Sequence, residues 1–409
     1  MAKICKLLIR VLVIVIFFGQ LAWANDSVTL DSPGKPAVAK AAKLGSKKKF
    51  DKAAAAFEKA LQLDENYRIA QLGLQIANDA QAKKIDKKAA QNFFKAIREF
   101  EKGKADKALK ACGKGLKKEK QYAQGFYLRA FFFETASKSD EAIGDYSSII
   151  AIEPENGDAY LRRAGLYEQQ IENSKAIADY SKVIDIDPEN GDAFAKRGAI
   201  YEQLGDRENA LADFDAALKL QPDADLYYHI GEIYLRDQKY NAAINYFTKH
   251  VTIDTGSVYG YLNRGVAYYE KGKFSKAVDD FYSALERNPQ FTDAFYYRGL
   301  AYAELKLFKE ALADFNRVIE IDENNANAYY QRGRVQHRRG RRKSAIADYK
   351  RALKADKNFA NALYYTALAH DELRQKKSAL QAFRDYLRLV AGSNSKQAKY
   401  AKKRVRALK

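Results

Sequence analysis

A spacing of 34 residues, shortened once to 33 between Gly198 and Gly231, persists from about residue 123 to residue 393 and constrains this chain more than any other feature. Small residues recur at Ala130, Ala164, Gly198, Gly231, Gly265, Gly299, Gly333 and Ala367. Twelve residues beyond each stands an alanine: Ala142, Ala176, Ala210, Ala243, Ala277, Ala311, Ala345 or Ala379. Four residues after each alanine comes an aromatic: Tyr146, Tyr180, Phe214, Phe247, Phe281, Phe315, Tyr349 or Phe383. Apolar residues at three- and four-residue steps flank a polar break such as Gly205-Asp206 or Lys271-Gly272, so each repeat reads as two amphipathic helices joined by a tight turn. The small residues allow close backbone approach and the rings fill the space beside them, while Pro154, Pro188, Pro222 and Pro289 block continuation of four second helices. No single repeat can bury its apolar stripe, so neighbours must stack.

Eight repeats in register resemble the tetratricopeptide repeat family, and the resemblance covers nearly all of the chain beyond residue 24. It implies an all-α superhelical solenoid of about ten helix-turn-helix repeats, with a concave groove lined mainly by first helices. Within that frame residues 34–120 read as diverged repeat-like helices, 121–393 as the regular array and 394–409 as a capping helix. Phe50, Ala53, Phe57, Ala60 and Leu61 mark one N-terminal helix and Ala108, Cys112 and Leu116 another, but Arg68–Lys88 does not fit the period and predicts helices with irregular pairing. At the far end Ala398, Ala401, Val405 and Leu408 form an apolar stripe on a Lys- and Arg-rich helix.

The first 24 residues combine Lys3, Lys6 and Arg10 with an apolar run from Val11 to Phe18, then small residues at Ala22 and Ala24. That is the pattern of a secretory signal peptide, too short to span a bilayer, with residues 25–33 as a linker. The expectation is an exported chain, periplasmic or secreted, with no transmembrane span after cleavage. Cys5 lies in the leader, leaving Cys112 as a lone thiol at a position held by an aromatic in most repeats, which reads as a buried, inert group.

Six repeats place Arg just before the small residue and Asp sixteen residues later. They are Arg129 and Asp145, Arg163 and Asp179, Arg197 and Asp213, Arg264 and Asp280, Arg298 and Asp314, and Arg332 and Asp348. The remaining two have Ile230 with Tyr246 and Thr366 with Ala382, so Arg and Asp are lost together. Joint loss is what a costly buried charge pair between two helices of one hairpin produces.

Enzyme chemistry does not emerge. His229, His250, His337 and His370 lie in separate regions without metal-ligand spacing, and no nucleophile, base and orienting group can be read. Gly113 and Gly115 lack the Gly-Lys-Ser/Thr ending of a phosphate loop, and no cofactor motif is present. The reading is a non-catalytic scaffold that binds partner proteins or extended peptides.

The resemblance directs one residue of each first helix at the groove: Tyr127, Leu161, Ala195, Tyr228, Leu262, Tyr296, Tyr330 and Tyr364. The Lys and Asn clamp that some co-chaperones of the family use for a terminal carboxylate is missing there. Tyrosine suits an extended segment, although such rings also serve to pack neighbouring repeats. The expected groove contacts are Tyr296, Tyr297, Tyr330, Tyr364 and Tyr365 as rings, Asn327 and Asn361 as backbone partners, and Arg334 and Arg338 as cations favouring an acidic segment. A net charge of +19 is unevenly spread: residues 35–120 and 326–409 are basic and 121–325 acidic. The basic ends are either solvated helix faces or contacts for anionic envelope polymers or lipids. Export makes nucleic acid an unexpected partner.

Overall fold

A computed structural model describes residues 32–409; the leader and most of the linker lie outside them. Among the described residues there are 22 α-helices and no strand. They divide into two compact halves, residues up to Asp213 and residues from Phe214 onward, each considered by itself.

The N-terminal half opens with α1 (Lys35–Gly45), α2 (Phe50–Leu63), α3 (Arg68–Gln81), α4 (Lys87–Phe100) and α5 (Ala105–Leu116). Regular hairpins follow: α6 (Ala123–Thr135) with α7 (Ser139–Ile152), α8 (Gly157–Gln169) with α9 (Asn173–Ile186), and α10 (Gly191–Gln203) with α11 (Arg207–Leu220), within which the division falls. The aperiodic stretch Arg68–Lys88 contains α3, which packs on α2 and touches α6 as well as α4. It interrupts the alternation of hairpins, since α1 pairs with α2 and α4 with α5. Phe57, Phe93, Phe94 and Phe132 are fully buried in the continuous core this produces. Cys112 is buried there too, with its thiol donating to the Gly125 carbonyl, and burial pushes its pKa far up, as an inert group requires.

The C-terminal half repeats one hairpin without interruption. It comprises α12 (Ala224–Arg236) with α13 (Tyr240–Ile253), α14 (Val258–Glu270) with α15 (Phe274–Arg287), α16 (Thr292–Glu304) with α17 (Phe308–Ile321), α18 (Ala326–Arg338) with α19 (Arg342–Ala355), and α20 (Ala360–Glu372) with α21 (Lys376–Leu389). The last helix, α22 (Lys396–Leu408), lays Ala398 and Ala401 beside Tyr364, Phe383 and Tyr386. Arg404 ties it down through two 2.7 Å bonds to Asp371.

Packing explains the spacing. A Cβ added at Gly265 would stand 2.7 Å from Cε1 of Phe281, so the small residue is the seat of its own hairpin's ring. Phe281 and Phe315 are wholly buried, each contributing roughly 2–3 kcal/mol by removal from water. Successive first helices of this half (α12, α14, α16, α18, α20) approach one another, whereas successive second helices make no comparable contact. First helices therefore line its inner side.

Candidate functional site

The paired charges form one device repeated six times. In every case Arg Nε and Nη2 donate to the two carboxylate oxygens of the Asp sixteen residues on, at 2.5–3.0 Å. The six carboxylates are 3–6% exposed. Rings of the same first helix flank the guanidinium, as Phe295 and Tyr302 do for Arg298. Sequence reasoning missed a further bond: Arg163 Nη1 donates to Ser147, Arg197 to Ser181 and Arg332 to Asn316, each on the preceding second helix. In these repeats the arginine fastens one hairpin to the next as well as its own two helices.

On the inner side of the C-terminal half the five expected rings are not equally accessible. Tyr296, Tyr297 and Tyr365 are half-buried, but Tyr330 and Tyr364 are only 7% and 9% exposed. Phe359 lies 5.0 Å from Tyr330, ring centre to ring centre, and Tyr386 lies 5.2 Å from Tyr364, so these two rings are walls of the core that show one edge. Asn327 and Asn361, each the second residue of its helix, are half-buried, and neither amide has a hydrogen-bond partner among the described residues. Arg334 is half-buried with its guanidinium 5.9 Å above Tyr330 and 5.6 Å above Tyr365, bonded only to Gln331 at 3.4 Å. Burial disfavours its charge, yet Tyr330, Tyr365, Tyr349 and Glu304 raise its pKa above the usual arginine value. Arg338 is exposed, lies over Phe308 and approaches Glu304 at 3.7 Å.

Two neighbouring features carried no readable signal. Asn263 donates to the Tyr228 hydroxyl at 2.9 Å, and that hydroxyl donates to Glu232 at 3.2 Å, giving a polar cluster on α12 and α14. His337 meets Glu372 at 2.9 Å, and Arg342 donates to the same carboxylate at 2.7 Å; against the cost of burial, these two hydrogen bonds hold Glu372 below the usual carboxylate range. A period of 34 shows where residues recur, whereas these contacts depend on single substitutions within it.

Stacked helical hairpins whose inner side presents rings, free amides and a caged cation define an array of interaction repeats. Models described as tetratricopeptide repeat match residues 196–258, 262–326, 330–394 and 44–67, and a TPR repeat model matches 172–205, together more than half of the chain. The chain belongs to the tetratricopeptide repeat family.

Several solved structures are similar to part of the chain. YrrB, described as a TPR protein with an unusual peptide-binding site, is 23% identical over 45% of this chain and 95% of its own, with a TM-score of 0.42. PilF of Pseudomonas aeruginosa is 19% identical over 52% of this chain and 97% of its own, at 0.43. PilW, described as a widely conserved type IV pilus biogenesis factor, is 22% identical over 50% and 94%, at 0.42. No curated protein matches the chain in sequence.

Proposed function

We propose that this protein is a non-catalytic scaffold of the cell envelope that holds an extended peptide segment of a partner protein along the inner side of its C-terminal half. The fold is one whose members act as protein-interaction scaffolds, and no helix of the described residues is long and apolar enough to cross a membrane. The observation that carries the reading is the pair of partnerless amides at Asn327 and Asn361. They stand one repeat apart beside partly open rings, so each is free to bond the backbone of a strand-like segment whatever its sequence. The envelope part rests on the leader ending at Ala24.

One preparation tests both parts. Protein isolated from the envelope fraction is expected to have an intact mass starting at Asn25, and when immobilised to retain a family of peptides from a random display library. Their binding should persist at about 0.5 M salt, where contacts made only by exposed charges are screened. A mass that includes Met1–Ala24, or a library that yields no peptide, contradicts it; binders lost at high salt point instead to the basic ends.

A further inference from the structure

Tyr349 is wholly buried, and its hydroxyl has no hydrogen-bond partner among the described residues. Leaving such a group unpaired costs stability. Two other hairpins carry a phenol at the equivalent place, and both satisfy it with a carboxylate. Tyr180 donates to Glu168 at 2.9 Å, and Tyr146 donates to Glu134. Five further hairpins have phenylalanine there. In the hairpin of Tyr349 the residue matching Glu134 and Glu168 is His337, whose ring lies 6.5 Å from that of Tyr349 and whose Nε2 is engaged by Glu372.

The N-terminal half shows what a complete arrangement looks like. Arg68 donates to Glu134 at 2.7 Å and to the Tyr146 hydroxyl at 2.6 Å, while that hydroxyl also donates to Glu134, so arginine, phenol and carboxylate close a triangle. Around Tyr349 two of the three parts exist. Arg334 sits over Tyr330 and Tyr365, whose rings are 6.1 Å from that of Tyr349, and it forms no salt bridge among the described residues. Glu304, an acidic group that acts on it, also meets Arg338 at 3.7 Å.

We infer that Arg334 and Tyr349 form a receptor for one carboxylate of the bound segment, which takes the place that Glu134 fills in the N-terminal half. That carboxylate belongs to a Glu or Asp side chain or to the free C-terminus of the peptide. Its carboxylate accepts from the Arg334 guanidinium, lifted from its seat on the rings, and from the Tyr349 hydroxyl. Asn327, on the same helix as Arg334, is placed to hold the adjoining backbone. This inference rests on the peptide-binding reading above and adds the chemistry of the residue that is recognised.

The test uses the full chain and fluorescein-labelled octapeptides of Gly, Ser and Tyr. They carry a central Glu or Gln and end in a free acid or an amide, and affinity is read by anisotropy. A peptide with one carboxylate is expected to bind about ten- to a hundredfold more tightly than the neutral Gln amide, as a charge-assisted pair supplies. Whichever acid arm gains identifies the source. Arg334→Gln should erase the preference. Tyr349→Phe, which installs the ring found in five sister hairpins, should reduce it several-fold while leaving the melting temperature unchanged or higher. Equal affinity for acid and neutral peptides, or a preference that survives both substitutions, overturns the inference while leaving peptide binding intact. No binding by any peptide overturns both.

Discussion

At the scale of single residues the Arg to Asp staple gives the sharpest expectation. Arg264→Leu strands the buried Asp280 carboxylate and should cost about 3–5 kcal/mol, whereas Arg264→Leu with Asp280→Leu should cost less than the sum of the two single changes. Burial already raises the Asp280 pKa despite its partner. Without Arg264 that folded-state pKa rises further above the unfolded value, so the variant is least stable above it and its deficit shrinks as pH falls through it. Urea melts of the four proteins across pH measure this, and additive losses with no pH dependence contradict it. The joint absence of Arg and Asp in two repeats was readable from the chain alone because it compares residues within a repeat. The bonds to Ser147, Ser181 and Asn316 were not, since they cross between repeats and vary in residue type. Nor was the burial of Tyr330 and Tyr364, because spacing assigns a side chain to a face without saying how far Phe359 or Tyr386 reaches over it.

At the scale of the hairpin the tight turn decides how two helices meet. One residue of each regular turn takes positive φ, and Gly205, Gly272 and Gly340 do so at 75–79° without penalty. Ile171 holds the same place at φ 60° with 80% of its surface exposed, so a β-branched residue carries left-handed strain without burying its side chain. Ile171→Gly should therefore stabilise the chain by about 0.5–1 kcal/mol and raise its melting temperature, the relief of strain outweighing the entropy glycine loses. A lower melting temperature shows that the turn is unstrained. Turns containing glycine announced themselves in the sequence; this one did not, because its residue type argues against the conformation it adopts. The helix α3 was obscure for a related reason. Its contacts with α2 and α6 leave no partner at a fixed spacing, and periodicity reveals only helices that repeat.

At the scale of the whole molecule, the repeat accounts for the fold and departures from the repeat account for the site. Arg334, His337 and Tyr349 stand where sister hairpins vary, and together they leave a half-buried cation and a buried hydroxyl without a carboxylate among the described residues of the C-terminal half. The basic terminal helix α22 answers a different need. Its Arg404 anchors to Asp371 while Lys399, Lys402 and Lys403 remain in solvent, a polar outer face suited to ending a stack. Hydrogen exchange on the full chain, with and without the tightest library peptide, tests the central claim most directly. Slowed exchange is expected in the first helices α16, α18 and α20, centred on Asn327–Arg338, with α17 unchanged. Protection confined to the second helices or to α22 would place the peptide elsewhere and contradict it.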